Sequence, residues 1–194
     1  MRTRFISGAI AVLALGAIAM PATATARGVH VRDVRLQDRC DPASFNAAIP
    51  SPPGAPPTCI PHGGQKTVTF DQFIAKLNPV DFGHPKWNNH PDELDLRDGD
   101  QISVTVRGGE FHTFTEVDEF GGGCIPFIND ALGLADPGLD PADCTPGAGG
   151  LVDTTGVAPN GLSTLSVSGL APGEHKFMCL IHPWMKSVVE VEDD

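Results

Sequence analysis

Near its C-terminus the chain sets three metal donors three residues apart: the thiol of Cys179, the imidazole of His182 and the thioether of Met185, within Cys179-Leu180-Ile181-His182-Pro183-Trp184-Met185. One thiolate and two imidazoles in a trigonal set, with a weakly held axial thioether, make a mononuclear copper site suited to electron transfer. The thioether favours copper over zinc or iron. A strand ending at Cys179 and a tight loop after it would turn all three donors toward one ion. The second imidazole must come from an adjacent strand, and His112 is the candidate, because it opens a β-rich run just after Gly108-Gly109. The expected metal ligands are therefore His112, Cys179, His182 and Met185. A two-copper centre would need a second cysteine in the loop, and Cys179 is alone there. A Cys-His nucleophile would leave Met185 without a role and lacks an orienting third residue.

The segments that must position these donors read as short strands. Leu94 and Leu96 begin an alternation that continues past the turn signal Asp98-Gly99-Asp100 as Ile102, Val104 and Val106. Phe111 to Val117 forms another strand, Leu162, Leu165 and Val167 a further one, and His175, Phe177 and Cys179 alternate on the next. Val188, Val189 and Val191 make the last. With Gly 22 and Pro 18 among 194 residues, the chain suits many turns rather than a helical bundle. The expected fold is all-β, an antiparallel sandwich of Greek-key type.

Upstream, residues 27–66 lack periodicity, and the proline-rich run Ile49 to Pro57 excludes helix and interior strand. Thr69-Phe70-Asp71-Gln72 fits a capping box, which predicts one short helix over about residues 70–77, ended by Pro79. His84, Trp87 and His90 are scattered through a loop and read as surface and packing residues, as do His30, His62 and His175. Residues 121–161 form a long Gly, Pro and Asp-rich excursion without the spaced acidic pattern of a calcium loop. The expected organisation is a leader over 1–26, an extension over 27–93 and a copper-binding domain over 94–194.

Arg2 and Arg4, an apolar run from Ala9 to Met20 and the small residues Ala24-Thr25-Ala26 predict a secretory signal peptide cleaved after Ala26. No later segment is long enough to span a membrane, so an exported, soluble protein is expected, periplasmic or extracellular. Removing Arg2 and Arg4 and no acid takes the net charge from −11 to −13. That argues against nucleic acid and anionic lipid as partners. Five cysteines are an odd number for an oxidising compartment. If Cys179 is a ligand, the other four can pair. Three connectivities are open, and the local pairs Cys40–Cys59 and Cys124–Cys144 are favoured because each closes a loop without its own core.

Gly173-Glu174-His175-Lys176-Phe177-Met178-Cys179, with the loop through Met185, resembles the closing strand and ligand loop of the plastocyanin, azurin and amicyanin group of cupredoxins. The short Cys-x-x-His-Pro-x-Met spacing is most similar to amicyanin. His112 to Val117 with Phe120-Gly121-Gly122-Gly123 also resembles exported bacterial cupredoxin-domain proteins. The resemblance covers about residues 94–194 and implies a cupredoxin-like sandwich, one type 1 copper ion held by the four residues above, and a one-electron carrier rather than an enzyme. It departs at His175, where these proteins usually have Tyr, and at Thr113, where plastocyanin and azurin have Asn. By the same reading His182 would be the solvent-facing ligand. Pro183 and Trp184 would form an apolar docking patch beside it for a basic partner, a cytochrome or a copper enzyme, met by a monomer. A copper-delivery or sequestration protein and a non-redox binding module are the alternatives.

Overall fold

A computed structural model describes residues 28–64, 66–139, 154–166 and 170–193. The leader expected over 1–26 and Cys144 lie outside them. In chain order the elements are β1 (Val31–Gln37), α1 (Pro42–Ala48), α2 (Phe70–Ile74), β2 (Asn88–His90), β3 (Glu93–Arg97) and β4 (Gln101–Arg107). They continue with β5 (His112–Val117), α3 (Pro126–Leu132), β6 (Thr154–Val157), β7 (Leu162–Ser166), β8 (Gly173–Met178) and β9 (Lys186–Glu192).

Two sheets carry the fold, one of order β2-β1-β4-β7 and one of order β3-β9-β8-β5-β6. Alternation drives the apolar side of each strand inward. Val34 and Leu36 of β1 and Ile102, Val104 and Val106 of β4 meet Leu94 and Leu96 of β3, Phe114 of β5, Phe177 of β8, and Val189 and Val191 of β9 in one buried cluster. Phe114 and Phe177 stack with centroids 4.7 Å apart. The molecule is thus the all-β sandwich expected, with one difference. The β1–β4 and β3–β9 pairs are parallel, whereas the pattern predicted antiparallel sheets. Strands joined by a hairpin must run antiparallel, but each of these pairs is joined by a long crossover, which permits either direction.

Residues 27–93, expected as an extension, supply β1 and β2 to the four-stranded sheet, with Val31 to Gln37 paired along Gln101 to Arg107. Cys40 and Cys59 form the expected disulfide. The capping box at Thr69 is present, with the Gln72 side chain bonding back to the Thr69 N–H, although α2 is shorter than the spacing predicts. Two helices were not expected. In α1, Asp41 caps Ser44 N–H at 2.9 Å and Pro42 fills the first turn. In α3, Pro126 opens the helix and Gly133 closes it at φ 70°. No helix among the described residues is long and apolar enough to cross a membrane.

Candidate metal centre

The turn after β8 folds back on itself: Cys179 N–H donates to Met185 C=O at 3.0 Å, and Met185 N–H to His182 C=O at 2.9 Å. This seats Cys179 and His182 on one side of the turn. β5 runs beside β8 in antiparallel register, Thr115 opposite Met178, so the first residue of β5, His112, arrives at the same end of the sandwich. The Cys179 sulfur stands 3.7 Å from His112 Nδ1 and 3.8 Å from His182 Nδ1, and the three donor atoms all lie within 4.8 Å of one another. Metal bonds of about 2.1 Å to nitrogen and 2.3 Å to sulfur, opened to a trigonal angle, would put such donors about 3.8 Å apart. The donor set fits a metal in both softness and spacing. Met185, wholly buried, closes the same turn.

The site is tied together by residues around it. Thr113 N–H donates to the Cys179 sulfur at 3.4 Å, and the Thr113 hydroxyl accepts from Leu180 N–H at 2.8 Å. A threonine thus bridges the two ligand-bearing segments. On the far side, Leu180 C=O accepts from Cys124 N–H at 2.8 Å, and a side chain at Gly123 would run into that carbonyl. Cys124 is itself disulfide-bonded, and Cys179 is the free cysteine among the described residues.

Each imidazole turns its other nitrogen toward a buried carboxylate. His112 Nε2 stands 3.0 Å from Asp38 Oδ2, and Asp38 also accepts from Gly109 N–H and Glu110 N–H. Burial opposes ionisation of Asp38, but the hydrogen bond and charge of His112, with the two backbone donors, hold its pKa near 2. An ionised Asp38 accepts a hydrogen bond from His112 Nε2–H, which leaves Nδ1 as the nitrogen that faces the sulfur and can offer a lone pair to a metal. In the metal-free protein, despite burial, the bond to Asp38 and the facing thiolate raise His112 to about 10. Burial likewise works against the Cys179 thiolate, yet the two imidazoles hold its pKa well below the ordinary thiol range. His182 Nε2 lies 3.9 Å from Glu110 Oε2, beyond hydrogen-bond reach. Burial, first of all, raises Glu110 to about 7, and the Trp87 indole N–H donates to it.

His182 is 2% exposed and Pro183 is buried, which corrects the expectation of a solvent-facing ligand beside an apolar docking patch. Phe73 of α2 and Trp87, both from the chain's first half, and Trp184 of the turn itself cover His182, with ring centroids 6.1, 6.4 and 5.4 Å from its ring. The Trp184 indole donates to Trp87 C=O at 3.1 Å, and Gly83, at φ 101°, leaves room for the indole where a side chain would collide with it.

Asp38, Glu110, Phe73 and Trp87 are the site residues that sequence reasoning missed. One signal was present: Gly108 and Gly109 allow close approach, since a side chain at Gly108 would strike the Asp38 carboxylate. His84 and His90 belong to no donor cluster among the described residues. Two further groupings, around Cys40, engage a disulfide sulfur and offer no thiolate. His175 bonds Glu116 and Ala171 C=O and takes no part in the site.

No family model and no curated protein matches the sequence. Among solved structures, a purple cupredoxin from Nitrosopumilus maritimus aligns at 14% identity over 60% of this chain and 95% of its own, with a TM-score of 0.37. A reduced amicyanin mutant aligns at 19% identity over 56% and 77%, TM-score 0.35. Oxidised plastocyanin from Dryopteris crassirhizoma aligns at 17% over 57% and 91%, TM-score 0.34.

Proposed function

We propose that the chain binds one copper ion through His112, Cys179, His182 and Met185 as a type 1 site, and that it serves, after export and removal of residues 1–26, as a one-electron carrier. The observation that supports this most is the convergence of one sulfur and two Nδ1 atoms at trigonal metal spacing among buried side chains. Bound copper supplies a Cu(I)/Cu(II) couple. The protein's part is to hold the donors still. Asp38 orients His112, Thr113 N–H bonds the thiolate and limits its rotation, and the aromatic cover excludes water from His182. With four donors from the chain no position is left for a substrate, which favours a carrier over an enzyme. Burial of all four side chains disfavours a delivery role, since handing over an ion needs a ligand within reach of the acceptor. The partner on this reading is another redox protein, a cytochrome or a copper enzyme.

The test is a visible spectrum of the purified protein with Cu(II). Intense thiolate-to-copper absorption, bleached by ascorbate and absent in Cys179→Ser, is expected. Tight colourless Cu(I) binding without a stable Cu(II) form would point to copper handling, and no uptake at all would end the copper reading.

A further inference from the structure

With His182 covered, an electron needs another way in. Directly outside the cover lies an open groove of about 720 Å³ between α2 and the turn at residues 84–88, floored by the end of β1 and the strand-like segment at Thr67-Val68. Arg39, Lys66, Lys76 and Lys86 line it beside His84, and among the described residues no aspartate or glutamate does. In a chain of 13 Lys and Arg against 24 Asp and Glu, that concentration of cations is opposite in sign to the whole molecule. Lys76 also pairs with Asp81 at 3.0 Å; Lys66 and Lys86 are exposed. The groove is open rather than a closed pocket, unlike sites that bury most of a small ligand.

Its inner wall leads to the metal centre. The His84 ring meets Trp87 edge-on at 5.2 Å, and Trp87, 1% exposed, stands 6.4 Å from His182. Two ring contacts therefore join the cationic surface to a proposed ligand. We propose that this groove is the docking surface for an acidic face of the redox partner, with His84 and Trp87 as the route to His182. The inference rests on the copper reading and reverses the partner charge that net composition suggests: the local field of a cation-lined groove, not the total charge, governs encounter at that point.

Two measurements test it. In the metal-free protein, titration with the redox-inert trianion hexacyanocobaltate(III) should shift backbone amide signals of Thr67, Lys76 and Lys86 and their neighbours, and the shifts should vanish in Lys76→Glu/Lys86→Glu. In the reduced copper protein, oxidation by hexacyanoferrate(III), which takes one electron and becomes hexacyanoferrate(II), should slow as salt is added, and slow about ten-fold in the same double variant. The cationic oxidant tris(phenanthroline)cobalt(III) should react no more slowly with the variant than with the parent, which shows that its copper site is intact. Shifts spread evenly over the surface, or a hexacyanoferrate(III) rate that rises with salt as the net charge of −11 alone requires, would overturn the groove. Absence of copper absorption would instead remove the copper reading, and the amide shifts would still decide whether the groove takes anions.

Discussion

The two imidazoles stand with ring centroids 5.0 Å apart, yet they are held by opposite means. His112 is fixed by charge: an ionised Asp38, fed by backbone N–H groups of Gly109 and Glu110, bonds its outer nitrogen. His182 is fixed by packing, under Phe73, Trp87 and Trp184, and its nearest carboxylate, Glu110, is pushed up toward neutrality by burial. A buried carboxylate with several donors stays charged, and one with a single indole does not. Two buried acids thus acquire different roles from their burial, their neighbouring charges and their hydrogen-bond supply.

Four substitutions probe that contrast. Asp38→Asn should have the largest effect, because it leaves His112 and two backbone donors facing a neutral amide. The metal-free protein should lose about 3 kcal/mol in urea unfolding, and copper affinity, measured by chelator competition, should fall about 10- to 100-fold. Glu110→Gln should act with the opposite sign. The native pKa of about 7 lies above the ordinary value of 4.5, so ionising Glu110 disfavours the folded state, and stability declines as pH rises from 4.5 through 7. At pH 8 the variant should be more stable than the parent by about 3 kcal/mol, and at pH 4 equal to it. Asp38 shows the converse sign. Its native value of about 2 lies below 3.8, so its contribution is present above pH 4 and is lost as pH falls through 2; the acid limb of the parent's unfolding curve should be shallower in Asp38→Asn.

On the packing side, Gly83→Ala should cost about 2 kcal/mol by combining an unfavourable φ with displacement of the Trp184 indole. It should also increase fluorescence quenching of Trp184 and Trp87 by acrylamide, whereas Asp38→Asn should leave quenching unchanged. The smallest effect is expected from Thr113→Val, which removes the acceptor for Leu180 N–H. A loss of about 1 kcal/mol is anticipated, with a shifted copper absorption rather than a lost one.

Much of this centre could be read along the chain because its central part is local. Cys179, His182 and Met185 share one seven-residue turn, and the β-rich run that opens after Gly108-Gly109 marked His112 as the candidate second imidazole. The strand pattern likewise conveyed a sandwich, and cysteine arithmetic singled out Cys179. Periodicity reports which face of a strand is buried, but it is silent about which strand lies beside which. Hence the parallel pairing of β1 with β4 was not visible, nor was Asp38, 74 residues from the His112 it bonds. Thr113 carried no cue that it would bridge to Leu180. The covering of His182 was equally hidden, since Trp87 looks like any loop aromatic until folding brings it over His182, 95 positions away in the chain. Residue types and local spacing decided which atoms can hold a metal. Long-range packing decided the charge on the carboxylates behind them and the access of solvent, because burial and hydrogen-bond supply are properties of the assembled fold.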